Sequence, residues 1–473
     1  MFYRVNENIA PRSWMFVPGA YYVKNEIPAK RFTDEELDIV LLCDGEHDIE
    51  DSAVVTDLLN RGIIEKCHQG DHPSAWSTFR SYPHRYFHAM NFMITGKCNY
   101  NCIHCFNAAD NAPLMSQWSL PEALDLLDQA ADCGIQAFTI TGGEPMLHPH
   151  FMDIIRGIHE RNMFVEEINT NGHFITAELL RELNDMGADP VMKISFDGIG
   201  CHDWIRNRQG AESDAKEAIR LCRQAGFSVM VQMQVNRRSI DTILPTAKLI
   251  NELGVFRLRM IRTTEVARWR EAAGDACLTI DEYYDRMPRV AREIYDYISS
   301  LPEEERHLSE LMIWQLLTVD LENDSYNINP VRFAAGEYRD TAPVCEGNRV
   351  MVGVSADGSV TPCLMFSGYL LEHGIKLGNV HETPLAELLS GGMYHDMITK
   401  NVYQLRQLSE KCRDCRHFSY CAGGCRALAL LYSKDERGFW DEDPVKCRFF
   451  NEGWYEHTKE CLGNMKDMKP LSF

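Results

Sequence analysis

Cys98-Asn99-Tyr100-Asn101-Cys102-Ile103-His104-Cys105 places three thiols within eight residues, just after the apolar run Phe92-Met93-Ile94. Soft thiolates at this spacing suit an iron-sulfur cluster or zinc. Three thiolates can hold three irons of a four-iron cluster and leave the fourth open to an exogenous chelating molecule. A closed zinc site would need a fourth ligand, which His104 is poorly placed to supply from between two of the cysteines. A zinc knuckle is the alternative reading of this run alone.

Outward from the loop, residues 136–145, Gln-Ala-Phe-Thr-Ile-Thr-Gly-Gly-Glu-Pro, read as a strand entering a Gly-Gly turn. The missing side chains of Gly142 and Gly143 let another group approach the backbone. A Cys-x3-Cys-x2-Cys run followed about forty residues later by Gly-Gly-Glu-Pro resembles the radical S-adenosylmethionine (SAM) superfamily. The resemblance implies that Cys98, Cys102 and Cys105 bind a [4Fe-4S] cluster, that SAM chelates the open iron, and that reduction yields a 5'-deoxyadenosyl radical. It assigns Gly142, Gly143 and Glu144 to the SAM site and sets His104, usually an aromatic in the family, beside the adenine.

From residue 88 to 261 strand-like and helix-like runs alternate. Strands are predicted at 88–95, 136–140, 163–169, 190–196, 227–235 and 255–261, with helices near 120–132, 149–161, 176–186, 211–225 and 240–253 between them. Such alternation means an α/β fold with a parallel sheet and crossover helices. Six strands fit the partial (β/α)6 barrel of the family. Ser195 and Asp197 share a strand face, Asn169-Thr170-Asn171-Gly172 ends the third strand, and Gln232, Gln234 and Asn236 share a face of the fifth. The family pattern places residues such as Ser195 and Asp197 on the methionyl and ribose parts of SAM and Arg206 near its carboxylate. Asn169 and Gln232 are further candidate SAM contacts, although buried amides can simply satisfy one another. Arg257, Arg259, Arg262, Arg268 and Arg270 crowd the sixth strand, either as a clamp for a carboxylate or peptide or as a solvated face.

Residues 1–75 form a separate unit: a strand at Tyr21-Tyr22-Val23, a helix opened by Thr33-Asp34-Glu35-Glu36, a second over Val54–Leu59, and a return strand at Ile63-Ile64-Glu65. The order resembles the winged-helix module that recognises leader peptides in ribosomal peptide maturation, and implies leader binding by strand addition. A winged helix that only packs on its neighbour is the alternative. Cys67 to His84 reads as a linker, 85–265 as the barrel, 266–340 as a helical, acidic bridge, and 341–473 as a cysteine-rich domain. In that last part Cys345, an Asp357-Gly358 hairpin turn, Cys363, the run Cys412-x2-Cys415-x5-Cys421-x3-Cys425, and Cys447 match the seven-cysteine SPASM pattern. The family implies two auxiliary [4Fe-4S] clusters, one on Cys345, Cys363 and Cys425 and one on Cys412, Cys415, Cys421 and Cys447, which makes three clusters in all. A zinc ribbon is the alternative for the second set. Cys43, Cys67, Cys133, Cys201, Cys222 and Cys277 fit no ligand spacing and read as small hydrophobes, with Cys461 a spare.

Forty-eight basic against sixty-nine acidic residues give a net charge of −21, which disfavours nucleic acid and acidic membranes. The absence of a signal-peptide pattern and of any long apolar run predicts a cytoplasmic protein. The reading as a whole is a radical SAM peptide maturase. It forms a bond from a cysteine sulfur to a carbon of a ribosomally made precursor peptide, and takes electrons from a flavodoxin- or ferredoxin-type reductant. Carbon-carbon or ether crosslinking, an iron-sulfur electron carrier, and a sulfatase-maturing enzyme are the alternatives. The last of these places an aspartate directly after the second SPASM cysteine, where this chain has Leu364.

Overall fold

The computed structural model describes residues 1–24, 26, 29–105, 115–263, 265, 267–345, 351–363, 369–370, 373–433 and 438–471; Leu364 lies outside them. At the centre are six parallel strands: β8 (Ala89–Thr95), β9 (Ala137–Gly142), β10 (Phe164–Thr170), β11 (Val191–Ser195), β12 (Val229–Val235) and β13 (Arg257–Arg262). They neighbour one another in chain order, as right-handed crossovers through intervening helices require. The helices lie where the periodicity predicts them, at Leu120–Asp132, Phe151–Glu160, Ala177–Asp185, Ala211–Gln224 and Ile243–Glu252. The first opens with a capping box, Ser119 bonding the Glu122 N–H while Glu122 returns to Ser119. Along β12, Val229, Val231, Met233 and Val235 are fully buried towards the helices, which turns Met230, Gln232 and Gln234 to the opposite, inner face.

Both ends of this sheet are extended by later parts of the chain. β17 (Met351–Val354) pairs parallel with β8 and carries β18 (Val360–Thr361) through a turn in which Gly358 has φ +84°. On the other side β14 (Glu310–Ile313) pairs parallel with β13, followed by β15 (Leu317–Asp320) and β16 (Ser325–Ile328) in an antiparallel meander, with β19 (Lys466–Asp467) last. This corrects the expectation that 266–340 is helical throughout. The long helix ends at Ser300, and four-residue strands are too short for alternation to reveal them.

The first 75 residues contain the expected helices, Asp34–Leu42 with its Thr33 and Glu36 capping box and Ala53–Asn60, and more strands than expected. β1 (Phe2–Val5) lies between β5 (Asp44–Asp48) and β6 (Ile64–Lys66); β2 (Ile9–Trp14) and β3 (Val17–Val23) form a hairpin flanked by β4 (Lys30–Arg31) and β7 (Arg80–Ser81). The stretch expected to be a linker thus supplies a strand. The Tyr22 hydroxyl donates to the Gly134 carbonyl at 2.8 Å and docks the unit on the barrel base. No helix among the described residues is long and apolar enough to cross a membrane.

Candidate active site

The cysteine loop leaves the end of β8, and its shape is set by its neighbours rather than by regular structure. The Ile103 N–H donates to the Ile205 carbonyl at 3.0 Å, and the Tyr100 N–H to Cys98 Sγ at 3.4 Å. Cys102 is buried, Cys105 half-buried and Cys98 exposed. The glycine pair at the end of β9 lies directly against this loop. A Cβ on Gly142 would stand 2.4 Å from the Thr95 carbonyl oxygen, and one on Gly143 2.3 Å from that of Lys97. Only glycines permit that approach.

Glu144 is fully buried and ties three turns together. It accepts from the Thr170 hydroxyl at 2.9 Å, the Asn171 N–H at 2.8 Å and the Met146 N–H at 3.3 Å. Burial pushes its pKa up to about 7 against the pull of those bonds. Asn171 donates to Asn99 Oδ1 at 2.8 Å, so the Glu144 turn also steadies the cysteine loop.

Asp197 and Arg206 form a buried pair, Nε to Oδ2 at 2.6 Å, and Arg206 Nη1 reaches Cys102 Sγ at 3.9 Å. Asp197 also accepts the Gln234 N–H at 2.8 Å. Burial favours the protonated acid, but Arg206 and His202 hold the Asp197 carboxyl well below the usual range. Arg206 therefore lies beside the cysteine loop with its charge already engaged. His104 has Nδ1 buried without a partner, and burial pushes its pKa down to about 3, which keeps the ring neutral. Asn169, Ser195 and Gln232 lie on the inner faces of their strands. Ser195 and Gln232 share one row across the sheet with Arg259, and Asn169 Oδ1 is buried without a partner. Sequence reading missed His202 and singled out Thr170 and Asn171 as part of the segment that ends the third strand; all three shape the site through hydrogen bonds and ion pairs to Glu144, Asn99 and Asp197.

Four of the C-terminal cysteines share a cavity. Cys412, Cys415, Cys421 and Cys447 line one cavity of about 700 Å³. Burial, then the neighbouring thiols, pushes Cys447 and Cys421 up to about 12. Thiols forced together and kept protonated by burial are a donor set that a cation relieves by displacing the protons. Among the described residues no three His, Cys, Asp or Glu side chains converge as ligands of a single ion. Cys425 lies within electrostatic range of Cys345, and Cys363, after β18, within range of Arg259 across the barrel mouth. Asp443, also missed, accepts the Cys425 N–H at 2.8 Å and caps the helix that carries Cys447. One buried carboxylate thus links the two thiol sets. Its only sequence signal is the Asp-Pro step at 443–444, a helix-entry mark. Cys43, Cys133 and Cys222 are buried as small hydrophobes, while Cys67, Cys201, Cys277 and Cys461 are half-buried.

The radical SAM superfamily model matches residues 92–250, and the SPASM model, an iron-sulfur cluster-binding domain, matches 345–416. An AdoMet-dependent heme synthase of Methanosarcina barkeri is 25% identical over 74% of this chain and 93% of its own length. The antilisterial bacteriocin subtilosin biosynthesis protein AlbA of Bacillus subtilis is 23% identical over 73% of this chain and 68% of its own. Streptococcus suis SuiB, in its crystal structure bound to precursor peptide SuiA, shares the fold with a TM-score of 0.63 at 15% identity, over 94% of this chain and 99% of that one. SAM and [4Fe-4S] clusters are the cofactors of this architecture, and the thiols at the barrel mouth and in the C-terminal part are of the kind that hold such clusters. The chain is a radical SAM enzyme with a SPASM domain.

Proposed function

We propose that this enzyme modifies a ribosomally made peptide, joining a cysteine sulfur to a carbon of the same chain. The observation that carries the reading is the N-terminal unit. It presents a three-stranded sheet with β5 and β6 at its edges beside two capped helices, a form suited to strand addition by a leader segment. The fold likeness to a protein crystallised with its precursor peptide extends over this unit as well as the barrel, and a relative named for bacteriocin biosynthesis adds support.

In this reading Cys98, Cys102 and Cys105 hold the cluster that binds SAM, which together supply a 5'-deoxyadenosyl radical for hydrogen abstraction. Gly142 and Gly143 open room beside the loop, the neutral His104 ring packs by the adenine, and Asn169, Ser195 and Gln232 present polar groups from the inner face. Arg206, with Asp197, fixes the charge beside Cys102. Cys345, Cys363 and Cys425 would hold one auxiliary cluster and Cys412, Cys415, Cys421 and Cys447 another, groups that would supply an electron acceptor. A flavodoxin- or ferredoxin-type protein is the reductant.

The test is anaerobic turnover of leader-bearing, cysteine-containing precursor peptides. The expected product has lost two hydrogens and one alkylatable thiol. The same mass loss with the thiol still free would reject the thioether and leave a carbon-carbon or ether crosslink, and no change to any such peptide would overturn the maturase reading. Reconstituted iron should approach about twelve per chain. About four, with bound zinc, would reject both auxiliary clusters.

A further inference from the structure

The inner face of the barrel carries more charge than the SAM site accounts for. Arg257, Arg259, Lys193, Glu166 and Glu167 all lie on β10, β11 or β13, and Glu310 on the adjoining β14. Register and alternation turn Lys193, Arg257 and Arg259 inward, because their neighbours Met192, Ile194, Leu258 and Met260 are fully buried against the helices. An irregularity between Val165 and Glu167 breaks the alternation on β10, so Glu166, buried against the Thr139 hydroxyl at 3.1 Å, joins Glu167 on that side.

Most of these charges are matched. Arg257 is ion-paired with Glu310, its Nε 2.8 Å from Oε1 and its Nη2 donating to Oε2 at 3.1 Å. Lys193 Nζ meets Glu167 at 2.8 Å. Burial raises the Glu166 pKa, which favours its neutral form. Arg259 remains. It has no ion pair or hydrogen bond among the described residues, and its Nε is buried without a partner. Glu167, the carboxylate that acts on it, is already bonded to Lys193, so Arg259 has no carboxylate of its own among the described residues. Arg259 is half-buried with its Nε out of water, a partly desolvated cation without an anion is destabilising, and a site that keeps one is suited to a ligand that brings the anion.

We propose that Arg259 is the centre of a carboxylate-receiving subsite, which takes an aspartate or glutamate side chain of the substrate peptide next to the residue that is modified. The guanidinium fork matches a carboxylate in two parallel bonds. Arg259 shares its row with Gln232 and Ser195 and faces Cys363 across the barrel mouth, so a carboxylate bound there holds the peptide between the SAM side and the C-terminal thiols. The side chains of Gln232 and Gln234 and Asn169 Oδ1 have no partner among the described residues, which leaves them for the amides of an extended peptide. Arg206 stands beside Cys102 and serves the SAM side, so Arg259 is not needed there.

This inference rests on the peptide reading, and its test separates the two. The reconstituted holoenzyme with SAM is titrated calorimetrically with N-acetylglutamate N-methylamide and with its glutamine analogue. Wild type should bind the acid about tenfold or more tighter than the amide. Arg259→Met should erase that preference, and Arg259→Lys should keep part of it, with iron content and SAM affinity unchanged in both. Equal binding of acid and amide by wild type, a preference that survives in Arg259→Met, or SAM affinity that falls in step with it would each overturn the subsite. Peptide turnover by wild type that is indifferent to replacement of every acidic residue would also overturn it, while leaving the maturase reading intact. An Arg259-dependent acid preference in an enzyme that turns over no peptide would keep the subsite and remove the maturase reading.

Discussion

The two groups of cysteines are held by opposite means. Cys98, Cys102 and Cys105 hang from an irregular loop whose position is fixed from outside, by Ile205, Asn171, Arg206 and the glycine pair of β9. Cys412, Cys421, Cys425 and Cys447 stand in or at the ends of short helices, Glu410–Arg413, Phe418–Cys421, Arg426–Tyr432 and Pro444–Asn451. A loop held by a large barrel can leave one side open, as the exposed Cys98 does, and admit an exogenous ligand. Two of the C-terminal helices have only four residues, too short to stand alone, so under the proposed function the C-terminal set would depend on its cluster to hold its form.

Removal of single thiols should produce the largest contrast. Cys102→Ala is expected to end 5'-deoxyadenosine release and to lower iron by about four per chain, with little change in barrel stability. Cys421→Ala should lower iron by a similar amount and leave SAM cleavage in place, yet lose peptide product and melt the C-terminal part at lower temperature. SAM cleavage abolished equally by both would break the comparison.

Next comes the Asp197–Arg206 pair, through which the barrel grips the loop. Arg206→Met leaves a buried carboxylate without its partner and should destabilise the barrel by about 3–5 kcal/mol in urea titration. Adding Asp197→Asn removes the stranded charge and should recover a large part. No recovery in the double variant would mean that the pair acts through packing alone.

Two glycines sharpen the same contrast on a smaller scale. A Cβ at Gly143 meets backbone oxygens of Gly96 and Lys97 at 2.5 and 2.3 Å, whereas one at Gly358 meets side-chain atoms of His381 and Asn379. Backbone in the cysteine loop cannot yield without moving the thiols. Gly143→Ala should therefore cost about 2–3 kcal/mol and weaken SAM binding. Gly358→Ala should cost about 1–2 kcal/mol, mainly for its φ of +84°, and spare SAM binding.

The same division governs what the sequence reveals. The barrel was legible because each strand and helix carries its own period, and the loop because three thiols lie within one short run. Seven C-terminal cysteines were legible as a pattern, since ligand spacing survives without regular structure. Short strands were not: β1, β5 and β14 to β16 are four or five residues of mixed polarity, formed because a neighbouring edge was there to pair with. Nor were the roles of Asn171, His202 and Asp443, which arise only when distant segments meet. Arg259 is the mixed case. Its presence in a basic cluster was visible, but its lack of a partner depends on Glu310 and Glu167 having been taken by Arg257 and Lys193.

Acid offers the mildest way to separate the two groups, because the barrel base stores neutral histidines. Burial pushes the His88 pKa down from 6.5 to about 4, and its Nδ1 is buried without a partner. His84 and His159 are lowered by burial as well, each with Nε2 unpartnered. The unfolded chain therefore takes up protons below about pH 6.5 that the folded barrel refuses. Stability from His88 is fully present above its unfolded value and is lost as pH falls through about 4, a change of up to roughly 3 kcal/mol. The apo protein should accordingly melt at progressively lower temperature from pH 7 to pH 5, and His88→Gln should flatten that slope. In the holoenzyme, SAM cleavage should decline over this range before the absorbance of the C-terminal clusters does, since the cysteine loop takes its shape from the barrel and the second set from its metal. A slope unchanged by His88→Gln would remove the histidine as its cause, and loss of cluster absorbance ahead of SAM cleavage would reverse the order of dependence.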